Sequence, residues 1–587
     1  MNVTTPNNAL AVLPFQNMSG NIDDDFFTDG ISEEVLNALS KIEGLMVVSR
    51  ASSFTYKNTK KDINEIGIAL GVKYIVEGSV RKYNNQIRIS VQLIQAENRF
   101  QIWSETYDRE LKNIFELQDE ISLKVAESIR ENFGHFEIKN HLVHKKTNSI
   151  QSYSSYLKGR CHQLKWNFNE MDEAIVNFEE SIKHDPHFYL PYFGLVQCYG
   201  YQLSWGYIAK EKGIALAEEN FARGYQLNEN SEEAYFALAN KYLWVDWNKE
   251  AAISNLKKAL ILNPNNSEFL ETFAECYLSM GNFDQALHYI DRAITLSPLS
   301  ANHYLNKGNI LFYHNELEDA LKYFGKAIEF DPSMELAKQW FAVCLIQKGD
   351  EKHLNKFLDN HPNLLEFHFF KPFFQAINKG KVLELNTLPE PKDHLLPWSV
   401  WLPLYGEKKE QAIAQLTSLV SQRVAQCINF QVDPFVKAIK NETVFAKLGE
   451  VEIKKLTEQP KMVKVKSKSL LSPSDQDLYL KKLHNFVQVE KGFLDRDLSL
   501  RGLASHMGLN ANRLSWLINE VLKKSFNEYI NGLRLAEFKN ISLKQENQKL
   551  SILGLAYECG FNSKSAFNDF FKKAEGITPS QWIKNQN

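Results

Sequence analysis

Residues 556–582 read AYECGFNSKSAFNDFFKKAEGITPSQW, and this stretch decides the fold of the C-terminal part of the chain. Ala556 is small enough to let two helices cross closely, and Gly560 stands where a tight turn needs a left-handed backbone. Phe567 and Phe570 are spaced to face inward from the helix that follows. The stretch therefore predicts a helix-turn-helix, the unit that presents its second helix to the DNA major groove.

The same pattern stands 52 residues upstream, measured from one turn glycine to the other. Residues 498–522 read LSLRGLASHMGLNANRLSWLINEVL, with Leu503 and Ala504 on one helical face and Gly508 at the turn. One helical hairpin with a glycine turn is a modest signal, because such hairpins are common. Two copies bridged by the amphipathic segment Phe526–Leu543 are much more specific.

The tandem resembles the DNA-binding domain of the AraC family over all of residues 477–587. The resemblance is clearest in the opening stretch and in the turn Gly-x-Thr-Pro at Gly576, Thr578 and Pro579. It implies a bacterial transcription regulator whose two second helices enter successive major grooves of double-stranded promoter DNA. RNA polymerase is the further partner that this resemblance implies, and no cofactor or metal is expected.

The resemblance places the two DNA-reading helices at Ala511–Val521 and Ser563–Phe571. The side chains expected to face DNA, including those that cap the two helices, are Asn510, Asn512, Arg513, Ser515, Trp516, Asn562, Ser563, Lys564, Ser565 and Asn568. The basic side chains expected to contact phosphates are Arg501, Lys523, Lys524 and Arg534. Phosphate contacts position a protein on the duplex without reading its sequence.

Three side chains of the first reading helix have specific expected roles. Arg513 suits the bidentate contact to guanine, and Asn512 suits adenine or a phosphate. Trp516 stands where family members commonly carry a long polar or basic residue. Contact with a thymine methyl group and packing between the two halves both remain open for it. A solvated position is the alternative for each of these side chains.

The C-terminal part of the chain is basic and the rest is acidic. Residues 476–587 hold 16 Lys and Arg against 11 Asp and Glu, which leaves −8 for residues 1–475. This asymmetry fits one module that meets a polyanion, although a solvated tail gives the same balance. Within the basic part, Asp569 would repel phosphate. It is expected to accept a hydrogen bond from cytosine or, preferably, to pair with Lys572 or Lys573.

Residues 152–455 are predicted to form a tetratricopeptide-repeat array of helices. Pro264, Pro298 and Pro332 stand 34 residues apart, the period of this helix–turn–helix repeat. Alanines stand five and twelve residues before each proline, where small side chains let paired helices approach. The repeat is clearest in residues 152–346 and degenerate afterwards. Its concave face is a surface for a protein or peptide partner.

Residues 9–135 alternate strand and helix signals and predict an α/β domain. The run ALAVLPF reads as a buried strand, and Asn84-Asn85 reads as the turn of a hairpin. Helices are expected over residues 31–42, with Ser32 as N-cap, and over Ile114–Phe133. The stretches AVLPFQNMSG and IGIALGVKYIVEGSVRK resemble the TolB-like N-terminal domain, a resemblance that implies no reaction.

Residues 456–475 lose apolar periodicity and gain Lys, Ser and Pro, which predicts a flexible basic linker before a DNA-binding domain at 476–587.

Six dispersed cysteines without a C-x-x-C pair argue against a zinc site and favour a reducing compartment. The sequence contains no P-loop, H-E-x-x-H or G-x-S-x-G motif, so we expect no enzyme. Without a leader or a long apolar run, a cytoplasmic protein with no membrane partner is expected.

The sequence thus predicts a multidomain protein with an N-terminal α/β domain, a central all-α tetratricopeptide solenoid and a C-terminal all-α double helix-turn-helix domain. The favoured function is a sequence-specific transcription regulator whose repeat and α/β domains receive a signal or bind a partner. The alternative is a repeat-based protein-interaction adaptor with only non-specific DNA affinity. A regulator should prefer its site by roughly 10³-fold or more over random DNA. An adaptor should bind DNA without sequence preference and with strong salt dependence.

Overall fold

The computed structural model describes residues 8–21, 24–164, 168–204, 207–393, 395–442, 470–544, 547 and 550–586. In this part the fold class is confirmed: an α/β region, a helical array and a C-terminal helical region follow one another. The chain divides into two compact units. The first holds Met1–Lys41, Met46–Asp119 and Val143–Thr457, and the second holds Ile42–Leu45, Glu120–Leu142 and Glu458–Asn587. Residues 120–135, which the sequence places in the α/β domain, therefore group with the C-terminal region.

A six-stranded sheet forms the centre of the α/β region. Its strands are β1 (Ala9–Val12), β2 (Gln16–Asn17), β3 (Met46–Val47), β4 (Tyr74–Tyr83), β5 (Gln86–Gln95) and β6 (Phe100–Glu110). The order is β3-β1-β4-β5-β6, with β2 pairing on β4; β1 is parallel to both neighbours, and β4, β5 and β6 are antiparallel. The predicted hairpin is confirmed, since Asn84 adopts φ 52° between β4 and β5.

The helices of this region are α1 (Asp24–Ser40), α2 (Arg50–Ser53), α3 (Ile63–Leu70) and α4 (Ile114–Phe133). Helix α4 has its predicted bounds. The helix expected to begin near residue 31 begins seven residues earlier, so the prediction of Ser32 as its N-cap is wrong. The Ser32 hydroxyl lies inside α1 instead and accepts the Phe15 N–H at 2.9 Å, which ties the helix to the segment between β1 and β2.

The predicted repeats form paired helices. The helices of the array are Ile150–Gln163, Phe168–His184, Leu190–Ser204, Lys210–Leu227, Glu232–Asn240, Lys249–Leu262, Ser267–Ser279, Phe283–Leu296, Ala301–Tyr313, Leu317–Phe330, Glu335–Lys348, Glu351–Asn360, Phe370–Lys379, Trp398–Tyr405 and Lys409–Ser421. The alanines of the 34-residue pattern are fully buried, as are the large residues between them, Leu256, Ile290 and Phe324. Small residues at these positions allow the close helix packing on which each repeat depends.

The sheet region and the repeats pack against each other within the first of the two compact units. The Ser49 N–H donates to the Leu296 carbonyl at 2.8 Å, and the Leu299 N–H donates to the Ser52 hydroxyl at 2.9 Å. A partly buried ion pair joins Glu33 of α1 to Arg160 of the first repeat helix at 3.1 Å. Part of the surface of the array is therefore covered by the chain's own N-terminal residues.

The helices of the C-terminal region are Pro473–Gln488, Leu500–His506, Ala511–Trp516, Phe526–Ser542, Ile552–Glu558, Lys564–Glu575 and Pro579–Gln586. The first of them begins inside the predicted linker, where the Ser472 hydroxyl accepts the Asp475 N–H at 3.2 Å and caps the helix. Linker residues 456–469 lie outside the described residues. Among the described residues, no helix is both long enough and apolar enough to cross a bilayer.

Candidate nucleic-acid interface

Two helix-turn-helix units with the same local geometry form the C-terminal region. Each turn has its glycine in the left-handed region, with φ +66° at Gly508 and +90° at Gly560. Each reading helix is capped by its own sequence: the Asn510 carboxamide accepts the Asn512 N–H at 2.7 Å, and the Ser563 hydroxyl accepts the Ala566 N–H at 3.2 Å. A capped N-terminus fixes the first turn of a reading helix, the part that meets base edges.

The bridging helix Phe526–Ser542 contributes to the apolar core of both units. It gives Phe526 and Ile530 to the core of the first unit and Leu535 and Phe538 to the core of the second. In the second core the buried partner of Phe567 is Phe571, whereas Phe570 is only partly buried. Phe570 nevertheless packs against this core, as predicted, and Phe571 is the more deeply buried of the two side chains.

The second reading helix, Lys564–Glu575, presents the predicted side chains to solvent. Lys564, Ser565 and Asn562 are exposed, and Asn568 is half-buried. Of the lysines expected to pair with Asp569, Lys573 instead forms an ion pair with Glu528 at 3.4 Å. Partial burial raises the pKa of Asp569.

The first reading helix begins at Ala511 and continues from Leu517 to Val521 as a wider π-helical turn. Arg513 is exposed, as predicted. Ser515 and Trp516 are not, since they retain 1% and 6% of their accessible surface. The expectation that both face outward is wrong for this structure, and Trp516 joins the apolar core of the first unit rather than packing between the two halves.

Residues of the segment Glu120–Leu142, which belongs to the same compact unit, lie against this side of the first reading helix. Asn512, Ser515, Trp516 and Asn519 are spaced three, four and seven residues apart, so they share one helical face. At one end of the face, Asn512 is hydrogen-bonded to Arg130 and Ile138. At the other end, a Cβ atom added to Gly134 would lie 3.9 Å from the Asn519 carboxamide oxygen. The segment thus approaches both ends of the face.

The four side chains predicted to contact phosphates have different environments. Arg501 forms an ion pair with Glu127. Lys523 is exposed and lies 3.4 Å from Glu520, and Lys524 is exposed.

Arg534 is buried, so its prediction as a phosphate contact is contradicted by the structure. Its guanidinium donates to the carbonyl oxygens of Phe493 at 2.7 Å and Asp495 at 2.6 Å, and burial lowers its pKa to about 10. The side chain holds the bridging helix to the loop before the first unit.

Sequence reasoning missed the side chains that join these elements. Arg496 donates to the Tyr557 carbonyl at 3.0 Å and stacks on the Tyr557 ring at 5.1 Å, which links the loop before the first unit to the second unit. Arg130 meets Asn512 across 382 residues of sequence. No local sequence pattern indicates a contact between residues so far apart. The sequence shows only that position 130 carries a cationic side chain.

Comparison with known families assigns three parts of the chain. Residues 503–585 match the helix-turn-helix domain family, and residues 249–304 and 301–334 match tetratricopeptide repeats. Residues 6–124 match the second domain of HilA/YgeH-like transcriptional regulators. The TolB-like resemblance of this region stays a prediction. These matches support a DNA-binding transcription regulator that carries a protein-interaction module.

The curated relatives match parts of the chain. The protein named "Putative adenylate cyclase 3" of Rhizobium meliloti is 36% identical over 30% of this chain and 30% of its own length. The transcriptional regulator HilA of Salmonella typhimurium is 21% identical over 53% of this chain and 55% of its own length. The melibiose operon regulatory protein of Escherichia coli is 32% identical over 15% of this chain and 29% of its own length. The chain therefore spans about half or less of the length of these relatives.

Proposed function

We propose that the chain is a sequence-specific transcription regulator that binds promoter DNA through two reading helices. The observation that carries the proposal is the tandem of capped helix-turn-helix units, whose second reading helix exposes Lys564 and Ser565. An exposed, capped helix with a cation in its first turn is suited to the major groove and its flanking phosphates.

The two reading helices have different roles in this proposal. Arg513, which is exposed, reads guanine from the first helix, and Asn512 reads adenine or a phosphate. On the second helix, Lys564, Ser565 and Asn568 contact base edges or position the helix on the phosphate backbone. Asn562 lies just before the start of this helix. Lys523 and Lys524 contact phosphates, as does Arg501 when it is released from Glu127.

The tetratricopeptide repeats are proposed to bind a protein or peptide partner, and RNA polymerase is proposed to be contacted at the promoter. Part of the array is already covered by the α/β region through contacts such as Ser49 with Leu296 and Glu33 with Arg160. A partner is therefore expected on the remaining helical surface, where its binding would be the signal that the regulator receives.

The test is genome-wide mapping of the DNA sites bound by the full-length protein. The variant combines Arg513→Ala with Lys564→Ala, which removes one exposed cation from each reading helix. The matched control combines Lys481→Ala with Lys584→Ala, which removes two exposed cations elsewhere in the same region. Because both variants lose the same charge, a difference between them reports on the reading helices.

Sharp promoter peaks that share a motif, persist in the control and disappear in the reading-helix variant are the expected result. Diffuse binding that both variants weaken equally would instead identify the alternative function, an adaptor that binds proteins through its repeats and DNA only by charge.

A further inference from the structure

The segment Glu120–Leu142 forms several polar contacts with the first helix-turn-helix unit besides those at Asn512. Glu127 pairs with Arg501, and the Asn132 carboxamide oxygen accepts from Asn527 at 3.0 Å. The Glu131 carboxylate accepts the Leu500 N–H at 2.8 Å, and burial raises the pKa of this carboxyl group. Arg501 is among the residues proposed for DNA binding, so the segment competes for a group that DNA would use.

The contact at Asn512 has the hydrogen-bond pattern of base recognition. The Ile138 backbone N–H donates to the Asn512 carboxamide oxygen at 3.3 Å, and the Asn512 amide donates to the Ile138 carbonyl at 3.2 Å. The major-groove edge of adenine offers the same pair of groups, an N6–H donor beside the N7 acceptor, and asparagine reads it bidentately. The backbone of Ile138 thus occupies the groups of Asn512 that would read adenine.

We infer that residues 120–142 are an autoinhibitory segment that imitates DNA at the first reading helix. Ile138 takes the place of an adenine edge, and the Glu127 carboxylate takes the place of a phosphate at Arg501. The inference rests on the proposed DNA-binding function and adds its regulation: DNA and the segment bind the same face and exclude each other. Only the first reading helix is covered in this way, while Lys564 and Ser565 of the second stay exposed.

The segment and the reading helix contain buried polar atoms whose hydrogen-bonding capacity is unused. In the described part of the chain, the buried Ser515 hydroxyl, the Trp516 indole N–H and the Arg130 Nε atom have no hydrogen-bond partner. Buried donors without partners cost free energy, so this interface is less stable than a fully satisfied one. Displacement of the segment by DNA would return the Arg130 Nε atom to water, which removes part of this cost.

The apparent affinity for DNA is reduced by the fraction of molecules in which the face is uncovered. A segment closed in nine of ten molecules weakens binding about tenfold. The test uses full-length protein with Glu127→Gln and Arg130→Ala together, and Glu127→Gln alone as the milder variant. Glu137→Gln is the matched control, since Glu137 is an exposed carboxylate of the same segment.

The probe is a 30-base-pair duplex enriched from a random library by the full-length double variant. We expect the double variant to bind it about tenfold more tightly than the wild type, Glu127→Gln to lie between them, and Glu137→Gln to match the wild type. In a second measurement, adding the duplex to the wild-type protein should increase hydrogen exchange of the backbone amides in residues 120–142.

Two outcomes would overturn the autoinhibitory role while leaving the proposed function intact. One is equal affinity of all four proteins for a duplex with a defined motif. The other is increased protection of residues 120–142 when the duplex binds, which would make the segment part of the DNA-binding surface. If the library yields no motif with any of the proteins, the proposed function fails, and the inference fails with it.

Discussion

The Arg534 guanidinium donates through Nε to the Phe493 carbonyl at 2.7 Å and through Nη2 to the Asp495 carbonyl at 2.6 Å. Phe493 and Asp495 lie in the loop before the first helix-turn-helix unit, and Arg534 lies in the bridging helix. One buried cation thus fixes the helix that contributes to both apolar cores. Lysine cannot reproduce this contact, because it lacks the planar fork of donors.

We expect Arg534→Ala to destabilise the C-terminal region by about 2–4 kcal/mol, because it leaves the buried Phe493 carbonyl and the partly buried Asp495 carbonyl without donors. Arg534→Lys should recover only part of this loss. The measurement is denaturant-induced unfolding, monitored through hydrogen exchange of the backbone amides in the bridging helix. Arg513→Ala serves as the control, since its exposed side chain should leave stability unchanged. Equal stabilities for the two alanine variants would refute the structural role of Arg534.

Substitution of the two turn glycines should have unequal effects. Both have positive φ, but a Cβ atom at Gly560 would lie 2.7 Å from the Leu494 carbonyl oxygen, while a Cβ atom at Gly508 meets nothing within 4 Å. Gly508→Ala should therefore cost about 1 kcal/mol of backbone strain, and Gly560→Ala should cost clearly more. Thermal unfolding of the two variants measures this order, and the reverse order would contradict the packing of the loop on the second unit.

Two glycines of the repeat array offer a similar comparison within one helix pair. A Cβ atom at Gly308 would lie 2.5 Å from the Phe324 ring, whereas at Gly325 the nearest atom is 3.9 Å away. Gly308→Ala should destabilise the array by about 1–3 kcal/mol through overpacking. Gly325→Ala should stabilise it by about 0.4–1 kcal/mol, because alanine restricts the unfolded chain. Chemical denaturation of the array distinguishes the two signs.

A buried carboxyl group in the array should make stability depend on pH. Burial raises the pKa of Asp433 from 3.8 to about 6, although the group accepts hydrogen bonds from Trp401 Nε1 and the Phe435 N–H, both at 2.8 Å. The folded protein therefore binds the proton more tightly than the unfolded chain does. This contribution to stability is complete below about pH 4 and is lost as the pH rises towards 6, by at most about 3 kcal/mol.

Asp433→Asn should remove this contribution, because an amide does not titrate and still accepts from Trp401. Thermal unfolding at pH 5 and pH 7 should therefore differ less for Asp433→Asn than for the wild type. Asp359→Asn changes an exposed carboxyl group of the same array and should behave like the wild type. An unchanged pH dependence in Asp433→Asn would exclude this carboxyl group as the cause.

Salt dependence should separate phosphate contacts from base contacts. Lys523→Ala with Lys524→Ala removes two exposed cations proposed to contact phosphates, so the slope of log K against log salt should fall by about 2 with sequence preference unchanged. Arg513→Ala should relax preference at one base position at a cost of about 1–3 kcal/mol. Titrations of specific and random duplexes at several salt concentrations measure both effects. A change in preference with the lysine variant would contradict the assignment of phosphate roles.

The sequence by itself determined the elements and their local geometry. The alanines that recur every 34 residues were predicted to lie between packed helices, and they are buried. Gly508 and Gly560 stand at the two turns as expected. Asn510 and Ser563 cap the reading helices. Such features depend on residues close in sequence, whose relation is fixed by backbone geometry and side-chain size. The start of α1 was the local exception: Ser32 lies inside the helix, and its hydroxyl accepts the N–H of Phe15, 17 residues earlier.

Only the tertiary structure decided which side chains of the proposed interface are free. Arg513 and Arg534 are both arginines near the reading helices, yet one is exposed and the other is buried on backbone carbonyls. Likewise, Asn512 stands on the predicted reading face, yet it is paired with Ile138, 374 residues earlier in the chain. Solvent exposure depends on what packs against a residue from elsewhere, and a contact between groups so far apart leaves no periodic signal in the sequence.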